Sequence, residues 1–341
     1  MKKVFLSMAA LALIMASCSN EEVPGTNPEA AIKAVPIQVT QTVAGIDTKA
    51  PVATGQQITA TVLMHDTGSS TADWSKFVAN ATNKVNSNSF NADADRATVS
   101  TATFNAVTET EGATVTLAPS LYYPTQTTTN HSHLAAVSPT GTTDGAKVVM
   151  KTVDGQQDVM LAKTVDAGAG NAGSHSAIKF EFEHLTTQLN FKMALTTTSG
   201  GAWSGKASVK SITIVDAELP KAVNVATAAA EWTDAAPFVV PGITAIALNS
   251  TAAVTGSPVM VKASGQVKLN VIVTGGDNKD YEYNDVVVKN SGADLQTEAG
   301  KAHVITLTVT EPQTASSAAE ISATATVKEW TAGAAGSADL K

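Results

Sequence analysis

Cysteine and arginine are almost missing from this chain of 341 residues, with Cys18 and Arg96 the single example of each. Aromatic residues make up 5% of it and charged residues 15%. Each scarcity closes off a class of chemistry. With Cys18 consumed by acylation, as argued below, no thiol remains for a disulfide, a cysteine-type zinc site or a cysteine nucleophile, and stability has to come from the core. The formal net charge of −8 and the lack of a Lys/Arg stripe exclude nucleic acid as a partner, because neutralising phosphates needs clustered cations. The apolar stretch from Val4 to Met15 is too short to cross a bilayer as a helix, which takes about 20 residues. Helical periodicity is nowhere sustained.

What the chain does contain begins with an address. Lys2 and Lys3, the apolar stretch behind them and the small residues before Cys18 read as a secretory signal over residues 1–17. A lone cysteine directly after Leu13-Ile14-Met15-Ala16-Ser17 suits a bacterial lipobox. Cleavage there leaves Cys18 as the first residue, with acyl chains on its thiol and amine holding the protein to a bilayer. The alternative is an ordinary secretory signal with an incidental cysteine. Residues 18–33, with two prolines, a glycine and three glutamates, have little to bury and read as a solvated tether. Glu21 and Glu22 so close behind the cysteine resemble the acidic export signal of lipoproteins sent to the outer face of the outer membrane.

Abundant Thr, Val, Ala, Ser and Gly argue for antiparallel β-structure, and the length suits two domains of roughly 100 to 200 residues. Ile37 and Val39 alternate with Gln38 and Thr40, with Val43 and Ile46 beyond, which predicts one strand that ends before the polar break 47–51. Apolar runs follow around residues 58–64, 121–124, 133–137, 147–150 and 158–162, with weaker candidates at 101–107 and 113–117. The Gly/Ala/Asn/Asp/Ser stretch 165–176 reads as the domain boundary, giving an N-terminal β-sandwich over 34–176 and a C-terminal one over 177–341. Beyond it the alternation is clean: Phe180 and Phe182, then Leu189, Phe191, Met193 and Leu195, then 209–215, 267–273, 280–288 and 305–309. Last come Ile321, Ala323, Ala325 and Val327, closing near Trp330. About seven strands of this spacing suit a second sandwich.

The residue patterns that chemistry needs do not assemble in the sequence. His131 and His133 stand two apart, as ligands on one strand face do, but no third histidine or acid stands near them at metal-ligand spacing, and they read as a solvated Thr/Asn/His loop. His184 shares a strand face with Phe182 and reads as a core-edge histidine with a hydrogen-bond partner. Ser174-His175-Ser176 falls in the boundary stretch, a poor place for a rigid nucleophile. Asp93 and Asp95 read as solvated surface, and Asp277-Asn278-Lys279-Asp280 reads as a hairpin turn before a calcium loop. No nucleophile elbow, P-loop or dinucleotide fingerprint occurs. The expectation is a protein with no catalytic residues, no metal and no cofactor.

Several segments, taken in order, resemble the fimbrillin family, the lipoprotein precursors of type V pili on Bacteroidetes-type bacteria. They are the lipobox at Cys18, Asp47-Thr48-Lys49-Ala50, Tyr122-Tyr123-Pro124, Asp158-Val159-Met160-Leu161-Ala162, Phe182-Glu183-His184-Leu185, Gly300-Lys301-Ala302-His303 and Val327-Lys328-Glu329-Trp330. The resemblance implies two transthyretin-like antiparallel β-sandwich domains in tandem and a palmitate-type lipid anchor in the outer membrane. It further implies cleavage by a trypsin-like, Lys/Arg-specific protease just beyond the first strand. On this chain the cut falls between Lys49 and Ala50, although the family more often has Arg there; Arg96 lies too far into the domain to release a terminal strand. Loss of the strand bearing Ile37, Val39 and Val43 would open a groove. A neighbouring subunit's donor segment, with Ile321, Ala323, Ala325, Val327 and Trp330, would fill it, and other pilin subunits would join head to tail in a filament supporting adhesion. Two alternatives are an anchor or minor fimbrillin that keeps its lipid, and a glycan-binding surface lipoprotein that never polymerises.

Overall fold

Alternating Thr and Val, set among Gly and Pro turns, become strand along more than half of the chain that a computed structural model describes: residues 37–43, 57–77, 97–104, 115–124, 129–313 and 320–329. Cys18, Lys49, Ala50, Asp93, Asp95, Arg96 and Trp330 lie outside the described residues. In chain order the first nine strands are β1 (Val39–Val43), β2 (Ile58–Thr67), β3 (Ala97–Phe104), β4 (Val115–Ala118), β5 (His131–Ser138), β6 (Gly141–Asp144), β7 (Lys147–Met150), β8 (Met160–Ala169) and β9 (Ile178–His184). Seven of them form one sheet in the order β1-β9-β8-β5-β2-β3-β4. Its pairs are antiparallel except β1–β9, and that parallel pair is possible because a long crossover separates the two strands.

Period-two writing decides which face of this sheet is buried. On β9, Ile178, Phe180 and Phe182 point inward while Lys179, Glu181 and Glu183 stay exposed. The inner row packs on Ile58, Ala60, Val62, Leu134, Met160 and Phe104, with the Phe104 ring edge-on to Phe182 at 5.4 Å and to Phe180 at 6.5 Å. Strands β2 and β5, in the middle of the sheet, are buried on both faces. Leu63, Ala135 and Val137 therefore face a second cluster containing Trp74, Phe77, Val148, Met150, Val223 and Val225.

The later strands are β10 (Thr187–Thr196), β11 (Ala207–Ala217), β12 (Pro220–Asn224), β13 (Ala229–Trp232), β14 (Ala236–Val239), β15 (Ile246–Ala247), β16 (Ala253–Val254), β17 (Val259–Val261), β18 (Lys268–Gly275), β19 (Asp280–Val287), β20 (Lys289–Asn290), β21 (Ala293–Asp294), β22 (Lys301–Thr310) and β23 (Glu320–Glu329). Two sheets, β16-β10-β22-β23-β20-β21 and β14-β11-β18-β19, enclose a core of Leu189, Phe191, Val209, Ile212, Leu269, Val271, Ile305 and Leu307 among others. This is the all-β, layered architecture the composition predicts.

The loop after β10 closes that core at one end. Glu311, buried just past β22, accepts hydrogen bonds from the backbone N–H of Trp203 at 2.6 Å and of Gly205 at 3.1 Å, which seats the Trp203 indole inside. Gly276 carries no side chain for a direct reason: a Cβ there would overlap the Trp203 carbonyl oxygen.

Two features of the fold go beyond the sequence reading. The stretch 165–176 is in its first half strand, since β8 runs on to Ala169, and sheet membership changes later, between β9 and β10. The segment 220–232, silent in the sequence, is the β12–β13 hairpin, which adds to β7 through Ala222 opposite Val149 and Val223 opposite Val148. All the described residues thus belong to one compact unit.

Candidate functional site

The first strand closes a seam. β1 lies at one edge of its sheet, with Val39 opposite Ile178 and Val43 opposite Phe182. The residue before the strand begins, Gln38, accepts from the Ile178 N–H at 2.8 Å, and the Ile37 N–H donates to the carbonyl of Leu121 at 2.8 Å. Leu121 follows β4, the strand at the other edge, so the sheet curls until its two edges meet across β1. Ile37, 5% exposed, and Val39, 8% exposed, point into the same core as Phe104, Phe180 and Phe182, while Gln38 faces water.

The far wall of the seam is fixed by its own packing. Tyr123 is buried beside Leu121, and the His175 ring stacks on it with centroids 3.6 Å apart. Burial raises the Tyr123 hydroxyl above the ordinary tyrosine range and holds His175 below the ordinary histidine range. Within Ser174-His175-Ser176 the His175 ring is accordingly a packing element, placed over a phenol, while the two serines face water.

At the other end of the chain, β23 pairs antiparallel with β22 from Glu320 opposite Thr310 to Glu329 opposite Lys301. Ala323 and Ala325 are buried, Ile321 is half-buried, and Ser322, Thr324 and Thr326 face water. Its outer edge meets β20 at one register position, Thr324 opposite Lys289. Val327 stands opposite His303.

Three of the motifs singled out in the sequence come together. Met160 pairs with His184 and Ala162 with Phe182, so 158–162 and 182–185 lie side by side. Asp158, 1% exposed at its side chain, meets Nδ1 of His184, 2% exposed, at 2.8 to 2.9 Å, and the Leu185 N–H donates to the Val159 carbonyl at 2.8 Å. Gly300 sits against His184. The partner expected for His184 is thus Asp158, across a strand pair that sequence spacing does not reveal.

His131 and His133 are on β5 and not in a loop. His131 binds Asp166 of β8 at 2.9 Å; His133 is buried, its Nε2 3.0 Å from the Ser69 carbonyl and 2.9 Å from the Thr67 hydroxyl; Asp66 accepts from Ser132 at 2.7 Å. Neighbouring strands supply these acids and hydroxyls, which is why sequence reading missed them. Each polar group is occupied by hydrogen bonding, and among the described residues no three His, Cys, Asp or Glu side chains gather as a metal would require. Asp277-Asn278-Lys279-Asp280 makes the β18–β19 hairpin turn, with Asn278 at φ +62° and the Gly275 N–H bonded to Lys279.

Fold and seam together define an all-β protein of layered sheets closed by a strand near its N-terminus. No protein-family model and no curated protein matches the sequence. Solved structures similar to it include a candidate cell adhesion protein from Bacteroides uniformis, 14% identical, with TM-score 0.48 over 87% of this chain and 99% of that one. Another is a candidate cell adhesion protein from Bacteroides ovatus, 13% identical, with TM-score 0.44 over 87% and 98%. A third is the fimbrial anchor protein Mfa2 from Porphyromonas gingivalis, 11% identical, with TM-score 0.41 over 87% and 98%.

Proposed function

We propose that the chain is a structural subunit of a type V pilus, exported as an outer-membrane lipoprotein on Cys18 and assembled by protease-triggered donor-strand exchange. The observation that carries this reading is β1 itself. It is the first described strand, joined laterally to β9 and, through Ile37, to Leu121, and Ile37 and Val39 at its start are part of the core. A cut after Lys49 frees the segment that includes it. What remains is a slot with the β9 backbone along one wall and Leu121 along the other, and a strand with small or apolar residues at alternate positions suits such a slot. The segment Ile321, Ala323, Ala325, Val327 has that pattern. Donation between successive copies is head to tail and does not close, so it builds a filament. In this reading the chain has two domains, and sheet membership changes between β9 and β10.

Treatment of the purified precursor with a Lys-specific protease is expected to yield a fragment beginning at Ala50 and, with it, ladders on a gel that survive mild detergent. A cut product that stays monomeric overturns the stalk reading. The N-terminus of the protein on cells gives a second check: Ala50 for a polymerised subunit, acylated Cys18 for one that keeps its lipid.

A further inference from the structure

The slot that β1 occupies has two walls, and they meet a second time away from β1. One wall is the segment from Leu121 to Tyr123; the other is the chain that runs through His175 into Ile178 and β9. β1 joins them through the Ile37 N–H on the Leu121 carbonyl and the Ile178 N–H on the Gln38 carbonyl, each at 2.8 Å. The rings of Tyr123 and His175 join them directly, with 3.6 Å between centroids and 22° between planes. His175 precedes Ile178 by three residues, and β1 and β9 run parallel, so the stack stands at the Ile37 end of the slot.

Each wall also has an anchor of its own. The Ser100 hydroxyl of β3 donates to the Pro119 carbonyl at 2.7 Å, and Leu121 and Tyr123 are buried in the core that holds Phe180 and Phe182. β9 is held by β8, from Met160 opposite His184 to Ala162 opposite Phe182. The approach to β9 has less to hold it. Between Ala167 and Ala177 the sequence has Ala, Gly, Asn and Ser and one larger side chain, His175. From Asn171 to Ala177 every residue but His175 is exposed. A run of small, exposed residues packs weakly, and the one ring in it that turns inward lands on the opposite wall.

We infer, on the strand-donation reading above, that His175 and Tyr123 form a clasp that keeps the two walls one strand apart once β1 has left. Stacked rings hold through their contact and geometry, with no hydrogen bond to β1, so the stack persists when the strand departs. While β1 is docked the clasp duplicates what its ladder already does. Afterwards it links the walls at that end, and a slot that keeps its width spares an incoming strand the cost of ordering them. His175 is thus a positioning residue, acting through the Leu121–Tyr123 wall.

The test compares the uncut precursor with the product of a Lys-specific protease, in wild type, His175→Ser and His175→Phe. Uncut, all three are expected to melt together, because β1 still ties the walls. In the cut product, His175→Ser is expected to bind a labelled peptide spanning residues 320–341 more weakly than wild type, by up to about tenfold. Before any peptide is added, it is also expected to exchange the amide hydrogens of residues 119–123 and 177–180 faster. His175→Phe keeps a flat ring and restores both. A His175→Ser product that binds and exchanges like wild type overturns the clasp and leaves strand donation standing. A His175→Ser precursor that melts well below wild type overturns it too, since the contact then serves the fold as a whole. A wild-type product that binds no peptide overturns strand donation instead, and its amide exchange against that of His175→Ser still decides whether the clasp holds the walls.

Discussion

Val39→Asp tests how the first strand is held. Val39 is 8% exposed, in the core with Phe104, Phe180 and Phe182. Burial of Val39 and Ile37 stabilises docking by about 1.5–3 kcal/mol each. The ladder to β9 and the bonds at Ile178 and Leu121 add roughly 1 kcal/mol apiece. Ordering residues 37–43 costs about 1–2 kcal/mol per residue. These opposing amounts are nearly equal, so β1 stays docked with only a few kcal/mol in hand. A carboxylate at position 39 forfeits the valine's share and is itself costly to bury unpaired, more than the strand can supply. The strand then undocks while the β2-to-β9 body stays folded, and the loss of stability is capped at the strand's own few kcal/mol. Two readouts follow in the uncut full-length chain: a modest fall in thermal stability, and uptake of a labelled peptide spanning residues 320–341, which on the proposed function the wild type is expected to take up only after cleavage. A variant that melts like wild type and binds no peptide refutes the argument that Val39 anchors the seam.

Asp158→Ala removes the buried carboxylate that meets Nδ1 of His184; a loss of about 1–3 kcal/mol is expected in urea unfolding, and Asp158→Asn, which keeps an acceptor, loses less. His303 is buried on β22 and burial lowers its pKa below the ordinary 6.5. The unfolded chain therefore binds the proton more readily, and His303 contributes stability that is complete above 6.5 and falls as pH drops below it. The slope is at most about 1.4 kcal/mol per pH unit. A His303→Leu variant that keeps the full acid slope of wild type between pH 6.5 and the acid transition shows that other groups set it.

The strands that alternate strictly were legible from sequence. β9 and β18 bury one face along their length, and β10, β22 and β23 do so through their middles, and a period of two is the direct record of that. The Asp277–Asp280 turn was legible for a similar reason, since its chemistry is local. β2 and β5 were blurred because both their faces are covered, and β12 to β17 were invisible because strands of two to five residues hold too few side chains to show a period.

By itself, the sequence determined that this is an all-β protein without thiol chemistry in its folded body, with the first and last alternating strands as its notable ends. Only the tertiary structure decided which strands meet. It set β1 beside β9 and Leu121, Asp158 against His184, the 220–232 hairpin on β7, and the His175 ring on Tyr123. The physical reason is that strand propensity and burial are written residue by residue, while pairing between distant strands depends on the register and crossover of the whole chain.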